Sequence, residues 1–163
     1  MKSVNKIARF FFLGIFFYAL VASASPIPKE IRKEAKNQPS FELLLKNPES
    51  FKNHLVLLGG VIIENTPLED RTELLIEHRK LGSSGRPKYS TKNKKRFSVV
   101  TKDFLDPEIY AQGRFITVYG KVGSLQKGKE KQLLVYAKFI YLWPEDFIPS
   151  SGWYMGIGPG FFF

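Results

Sequence analysis

Five separated stretches of this chain, either alternating in polarity or rich in apolar, β-branched and aromatic residues, each read as a β-strand. The first, 55–65, is a nearly continuous apolar run with Gly59 and Gly60 in its middle. A glycine pair inside a strand predicts a strong bend, as a strand shared by two parts of a small barrel requires. In the second, 72–80, Leu74, Ile76 and His78 alternate with Glu73, Leu75 and Glu77; a helix competes here, and the short length and hairpin context favour a strand. The third, 96–101, puts Phe97 and Val99 on one face. The fourth, 113–122, is the stretch around which the rest is arranged. Every residue from Phe115 to Tyr119 is β-branched or aromatic, and Gly120 marks a bulge or bend. The fifth, 132–142, sets Leu134, Tyr136, Lys138, Ile140 and Leu142 against Leu133, Val135, Ala137, Phe139 and Tyr141.

The intervening segments supply the connections. Residues 40–48 predict a short helix, capped by Ser40, stopped near Pro48 and apolar along Phe41, Leu44 and Leu45. Residues 27–31 predict one helical turn. Asp106 is a good N-cap and Pro107 suits the first helical position, so a short helix is expected before the fourth strand. Loops are expected at 65–67, 82–95 and 126–131. Three strands, a short helix and two strands is the order of the OB fold. The expected class is therefore mainly β: a five-stranded OB-like Greek-key barrel with a short helix before the fourth strand and an N-terminal helix. Gly60, Val61, Ile63, Phe97, Val99, Ile116, Val118 and Val135 are expected in its wall or interior.

The N-terminus lies outside this pattern. Lys2, Lys6 and Arg9 precede an apolar run over 10–22, and Ala22-Ser23-Ala24 follows. A basic start, a short apolar run and a small-residue exit predict a secretory signal over 1–24. The run is shorter than the roughly 20 residues of a spanning helix. Cleavage near Ala24 lowers the net charge of +10 by three, to +7. The domain then occupies 25–146, and 147–163 form a tail in which glycine, proline and aromatic residues alternate too often for a regular element. The chain contains no cysteine, which excludes disulfides, thiolate catalysis and cysteine metal sites. Leu20-Val21-Ala22-Ser23 resembles a bacterial lipoprotein box with Ser23 where the lipid-bearing cysteine belongs, so no thioether-linked lipid can form there.

Little in the sequence points to catalysis. His54 and His78 stand outside any metal-ligand spacing and read as structural or surface residues. There is no nucleophile elbow and no phosphate-binding loop. Neither a cofactor nor an enzymatic activity is expected. Two stretches invite contact with other matter. Arg79, Lys80, Arg86, Lys88, Lys92, Lys94, Lys95 and Arg96 form a basic loop without an acidic residue. Such a run is either a solvated face or an electrostatic contact to an anionic surface such as lipid phosphates. Single-stranded nucleic acid is a further reading, with Tyr89 among the charges, but export argues against it. In the tail, Trp153, Tyr154, Phe161, Phe162 and Phe163 are candidate contacts to a membrane interface or a partner; a tail that frays or folds back is the plainer reading.

Several short motifs, in order, resemble the Slp family of bacterial outer-membrane (starvation-inducible) lipoproteins. They are Ser25-Pro26-Ile27-Pro28, Asn47-Pro48-x-x-Phe51, Gly59-Gly60-Val61-Ile62, Gly85-Arg86-Pro87, Arg96-Phe97, Phe104-Leu105-Asp106-Pro107-x-x-Tyr110, Gly113-Arg114-x-x-Thr117-Val118-x-Gly120 and Tyr141-Leu142-Trp143-Pro144. The resemblance covers about 25–146. It implies an envelope protein at the periplasmic face of the outer membrane, or in the periplasm, without established enzymatic chemistry; the expected partner is the outer membrane or an anionic envelope component. A periplasmic OB module binding oligonucleotide or glycan is the alternative. Ser23 departs from the family's lipid-bearing cysteine, which bears on the anchor and not on the fold.

Overall fold

The structure is a computed structural model that describes residues 25–89, 95–123 and 133–145. Five strands close into a barrel: β1 (Leu55–Pro67), β2 (Thr72–Arg79), β3 (Arg96–Thr101), β4 (Phe115–Val122) and β5 (Leu133–Leu142). Their order around the barrel is β1-β2-β3-β5-β4, with β3 and β5 parallel and every other pair antiparallel. This is the expected OB-type barrel.

Strand β1 is long because two neighbours share it. Leu55–Val61 pairs with β4, and Gly59–Pro67 pairs with β2. The glycine pair sits where the two pairings overlap, and each glycine makes room on a different side. A Cβ on Gly60 would stand 2.2 Å from the Glu77 carbonyl oxygen, and one on Gly59 would stand 2.2 Å from Leu81 Cδ2. Gly60 is therefore required by close approach of the β2 backbone, and Gly59 leaves room for the Leu81 and Pro87 side chains.

The interior is apolar. Val56, Leu58, Ile62, Leu74, Ile76, Phe97, Val99, Ile116, Val118, Val122, Leu133 and Val135 form one cluster. Of the residues expected in the wall or interior, Val61 and Ile63 belong to the wall and not the interior. Val61 and Ile63 are half-buried, while Ile62 between them is fully buried. Up to Ile62 the even-numbered residues of β1 face inward; the ladder with β2 then slips between Ile62 and Glu64, where Ile63 is the extra residue of a bulge, so Glu64 is exposed and Asn65 stands opposite the buried Leu74. Strand β5 also departs from simple alternation. Its register with β4 slips between Tyr119↔Phe139 and Gly120↔Ala137, so Lys138 has no opposite number. Leu133, Val135 and Ala137 pack against the interior before the bulge, and Ile140 and Leu142 after it. Gly120 permits this: a Cβ there would lie 2.2 Å from the Tyr136 carbonyl oxygen.

Both barrel ends are stoppered. At one end lies α2 (Phe41–Lys46), following α1 (Lys29–Glu34) and a 3-10 turn. The Ser40 side chain accepts the Leu43 N–H at 3.3 Å, the expected cap, worth about 1 kcal/mol. Helix α2 turns Phe41 and Leu44 into the core, and Phe41 stacks on His78 with ring centroids 3.8 Å apart. At the other end Leu105 is the stopper. Thr72 Oγ1 accepts its N–H at 3.2 Å, and Asn65 Nδ2 donates to its carbonyl at 3.1 Å. The short helix expected at Asp106 is a single turn. Tyr110 N donates to the Asp106 carbonyl at 2.8 Å, and Glu108 N to Asp106 Oδ1 at 2.8 Å. Gly113, at φ +89°, then turns the chain toward β4, which leaves too few residues for a second helical turn.

Candidate functional site

A second buried layer lies outside the barrel, on the outer faces of β1, β4 and the end of β5. Ile27, Leu57, Tyr119 and Trp143 form it, with Ile31, Ala35, Leu81, Phe115, Phe139 and Tyr141 at its margins. Two irregular segments are pressed onto it. The first is the N-terminal strap, 25–37. Ser25 Oγ donates to the Ser84 carbonyl at 2.5 Å, and Ile27 is completely buried. Tyr119 Oη donates to the Glu34 carboxylate, and that bond, with burial, pushes the phenol up to about 12. The second segment is the start of the basic loop, closed by the Leu81↔Pro87 bridge and by Gly82 N donating to the Arg86 carbonyl at 2.7 Å.

Thr117 holds these pieces together. It is fully buried in the middle of β4; its hydroxyl donates to the Gly85 carbonyl at 2.8 Å and accepts the Trp143 indole N–H at 2.9 Å. Gly85, at φ +85°, lies against Ile27; a Cβ on it would be 2.8 Å from Ile27 Cγ1. Arg86 spreads over the rings of Trp143 and Phe115 at 5.5 and 5.9 Å. Arg114 ties the end of β5 down, donating to the Trp143 carbonyl at 3.1 Å and pairing with Glu145 at 3.0 Å. The Gly85-Arg86-Pro87, Gly113-Arg114, Thr117 and Trp143 motifs thus converge on one patch, where they position chain.

The basic loop consequently divides. Arg79 pairs with Glu77 at 2.5 Å, both largely covered, and Arg86 is half-buried on its aromatic rings. Lys80, Lys88, Lys95 and Arg96 are exposed. Lys92 and Lys94 lie outside the described residues, as do Trp153, Tyr154, Phe161, Phe162 and Phe163 and the expected hairpin loop at 126–131. Beside the exposed cations an open cleft of about 310 Å³ is lined by Gln38, Phe41, Glu42, His78 and Lys80. Gln38 acts there as a short false strand: its side-chain amide accepts the Leu57 N–H at 2.7 Å and donates to the Leu57 carbonyl at 3.0 Å, where β1 has left β2. Burial holds the His78 imidazole down at about 4, with nearby Glu42 opposing the shift and Lys80, Lys95 and Arg79 adding to it.

Among the described residues no group of three His, Asp or Glu side chains could hold a metal ion, and no helix is long and apolar enough to cross a membrane. His78 is a packing residue against Phe41 and Phe97, and His54 is exposed beside Phe51. The sequence reading missed the strap and the Thr117 junction. The available signal was a threonine in the middle of an otherwise apolar strand, which a buried hydroxyl occupies only with partners on hand.

One family model matches the chain, that of the outer membrane lipoprotein Slp family, over residues 20–162. No curated protein matches it in sequence. Solved structures with similar backbone include a Stn1–Ten1 complex from S. pombe, at 13% identity and a TM-score of 0.37, covering 56% of this chain and 59% of that one. A putative aspartyl-tRNA synthetase from Leishmania major Friedlin is similar at 11% identity and a TM-score of 0.41, covering 61% of this chain and 19% of that one. A small single-stranded DNA-binding protein from Streptomyces coelicolor is similar at 14% identity and a TM-score of 0.36, covering 55% of this chain and 92% of that one. The chain thus spans about three-fifths of the first of these and about one-fifth of the second.

Proposed function

The chain belongs to the outer membrane lipoprotein Slp family, and from that premise we propose that it is a non-enzymatic binding or structural module at the periplasmic face of the outer membrane. Slp proteins are exported to the outer membrane and periplasm, and that is the compartment of this chain. Its contact is with an anionic envelope surface, through Lys80, Lys88, Lys95 and Arg96. The observation that carries this reading is the division of the basic loop. Arg79 and Arg86 are engaged by the barrel, while Lys80, Lys88 and Arg96 are exposed at its rim and Lys95, also exposed, stands 4.0 Å from the Glu42 carboxylate.

No cysteine is present to take a thioether-linked lipid. Attachment then rests on weaker signals acting together, the cationic rim and the aromatic residues Trp153, Tyr154, Phe161, Phe162 and Phe163. Each cation near an anionic surface contributes about 1 kcal/mol. Changing Lys80, Lys88, Lys95 and Arg96 to Gln should therefore weaken binding of the full chain to phosphatidylglycerol vesicles by roughly a thousandfold at low salt. Wild-type binding should fall steeply as salt is raised. Truncation after Pro149 should shift the protein from the membrane to the soluble fraction of its native host, with its melting temperature unchanged. Vesicle binding that ignores both the four substitutions and salt would overturn the electrostatic reading.

A further inference from the structure

Around the barrel from the cationic rim, the outer face of the parallel β3–β5 pair carries an aromatic side chain that packing alone does not explain. Tyr136 is 51% exposed in the middle of a strand. Its ring rests on a glycine: a Cβ on Gly123 would stand 2.7 Å from Tyr136 Cε2. The bulge at Lys138 and the close approach at Gly120 fix the backbone beneath it. Tyr136 is paired across the sheet with Val100 on one side and Lys121 on the other, so among the described residues the ring is backed and flanked.

The ring borders an open cleft of about 410 Å³ whose other walls are Asp70, Arg71, Val100, Lys102 and Asp103. That volume is at the small end of the range for ligand pockets. Its polar groups are of both signs and are held in place. Arg71 pairs with Asp70 at 3.0 Å and with Glu73 at 2.8 Å, and Asp103 Oδ2 accepts the Thr101 hydroxyl at 3.2 Å. Asp70, both of whose oxygens accept from Arg71 Nη1 at 3.0 and 3.3 Å, and Asp103 line the cleft as acceptors with capacity to spare, and Lys102 adds a donor.

We propose that this cleft is a saccharide-binding site, with one pyranose ring of an envelope glycan lying on Tyr136 and its hydroxyls held by Asp70, Asp103 and Lys102. A sugar ring offers an apolar C–H face to an aromatic ring and a rim of hydroxyls that both donate and accept. Carboxylates beside a cation suit that rim. The two carboxylates are balanced by Arg71 and Lys102, so the cleft has no net positive charge to draw a phosphate backbone, and oligo(dT) is the competing ligand that the test includes. The site is separate from the cationic rim, so the two readings fail independently.

The test is a titration of the full chain with chitotetraose, maltotetraose, soluble peptidoglycan fragments and oligo(dT), followed by amide chemical shifts. At least one saccharide should shift Val100, Lys102, Asp103 and Tyr136. Tyr136→Ala should weaken that binding at least about tenfold. Tyr136→Phe should keep it within about twofold, since the ring face and not the hydroxyl makes the contact. Gly123→Val, which removes the seat of the ring, should weaken it without unfolding the barrel; if it does unfold, Asp103→Asn serves as the second variant. Gln at Lys80, Lys88 and Lys95 should leave saccharide binding unchanged. No shift with any saccharide, binding indifferent to Tyr136→Ala, or tighter Tyr136-dependent binding of oligo(dT) would overturn the proposal.

Discussion

Val118 and Thr117 are neighbours in β4, and both are completely buried. Val118 points into the barrel, where its surroundings are apolar in every direction. Thr117 points outward and is buried only because Gly85 and Trp143 come to its hydroxyl from 32 and 26 residues away. The interior is held by area removed from water, which is non-directional and forgiving of which apolar residue supplies it. The outer layer is held by a donor–acceptor chain and by glycines that leave no room for error. One protein thus contains a core that many sequences would satisfy and a casing that few would. The casing is where its motifs accumulate.

If that contrast holds, damage inside should be global and damage outside local. The largest effect should come from Val118→Asp, which forces an unpaired carboxylate into the apolar interior. A loss of more than about 4 kcal/mol is expected, with collapse of the far-ultraviolet dichroism of the strands. Unchanged melting would place Val118 in contact with solvent and undo the register described above.

Gly85→Ala should act on the casing alone. The substitution puts a side chain at φ +85° and a Cβ 2.8 Å from Ile27 Cγ1. It should cost roughly 1–3 kcal/mol. Limited proteolysis should then cut within 25–37 while the barrel keeps its strands. Cooperative loss of both parts would mean that strap and barrel fold as one unit.

His78 tests the stopper between the two regions. Its imidazole is held at about 4, below the ordinary value of 6.5, chiefly by burial. The folded protein therefore binds fewer protons than the unfolded chain between those values. Stability is full above pH 6.5, falls as the pH drops toward 4 and levels off below it. The expected loss is of order 2 kcal/mol, read by urea unfolding at pH 7 and pH 4.5. His78→Leu should remove that part of the slope. A slope that persists in the variant would assign the acid sensitivity to carboxylates instead.

The smallest effect should come from Phe104→Ser. Phe104 is 72% exposed beside the buried stopper Leu105. A change within about 0.5 kcal/mol in thermal unfolding is expected. A larger one would show that this ring has a packing partner and that the contrast between buried and bare positions is drawn too sharply at that end.

The sequence by itself determined the five strands, their order along the chain and the Ser40-capped helix, because each depends on local alternation, on β-branched and aromatic content or on a cap within a few residues. It also determined the missing thiol and the cationic loop, which are matters of composition. Only the tertiary structure decided which side of each strand is inside after a bulge. Ile62 is buried where Val61 and Ile63 are half-buried, and the run around them is apolar on both sides, so no alternation marks its inner face; Lys138 switches the faces of β5 because a one-residue slip depends on the partner strand and leaves no local mark. Only the tertiary structure could join Ser25, Gly85, Thr117 and Trp143, or set Tyr136 upon Gly123 beside Asp103. Those contacts link segments that meet only once the barrel has closed, and a chain read residue by residue carries no record of distances across that closure.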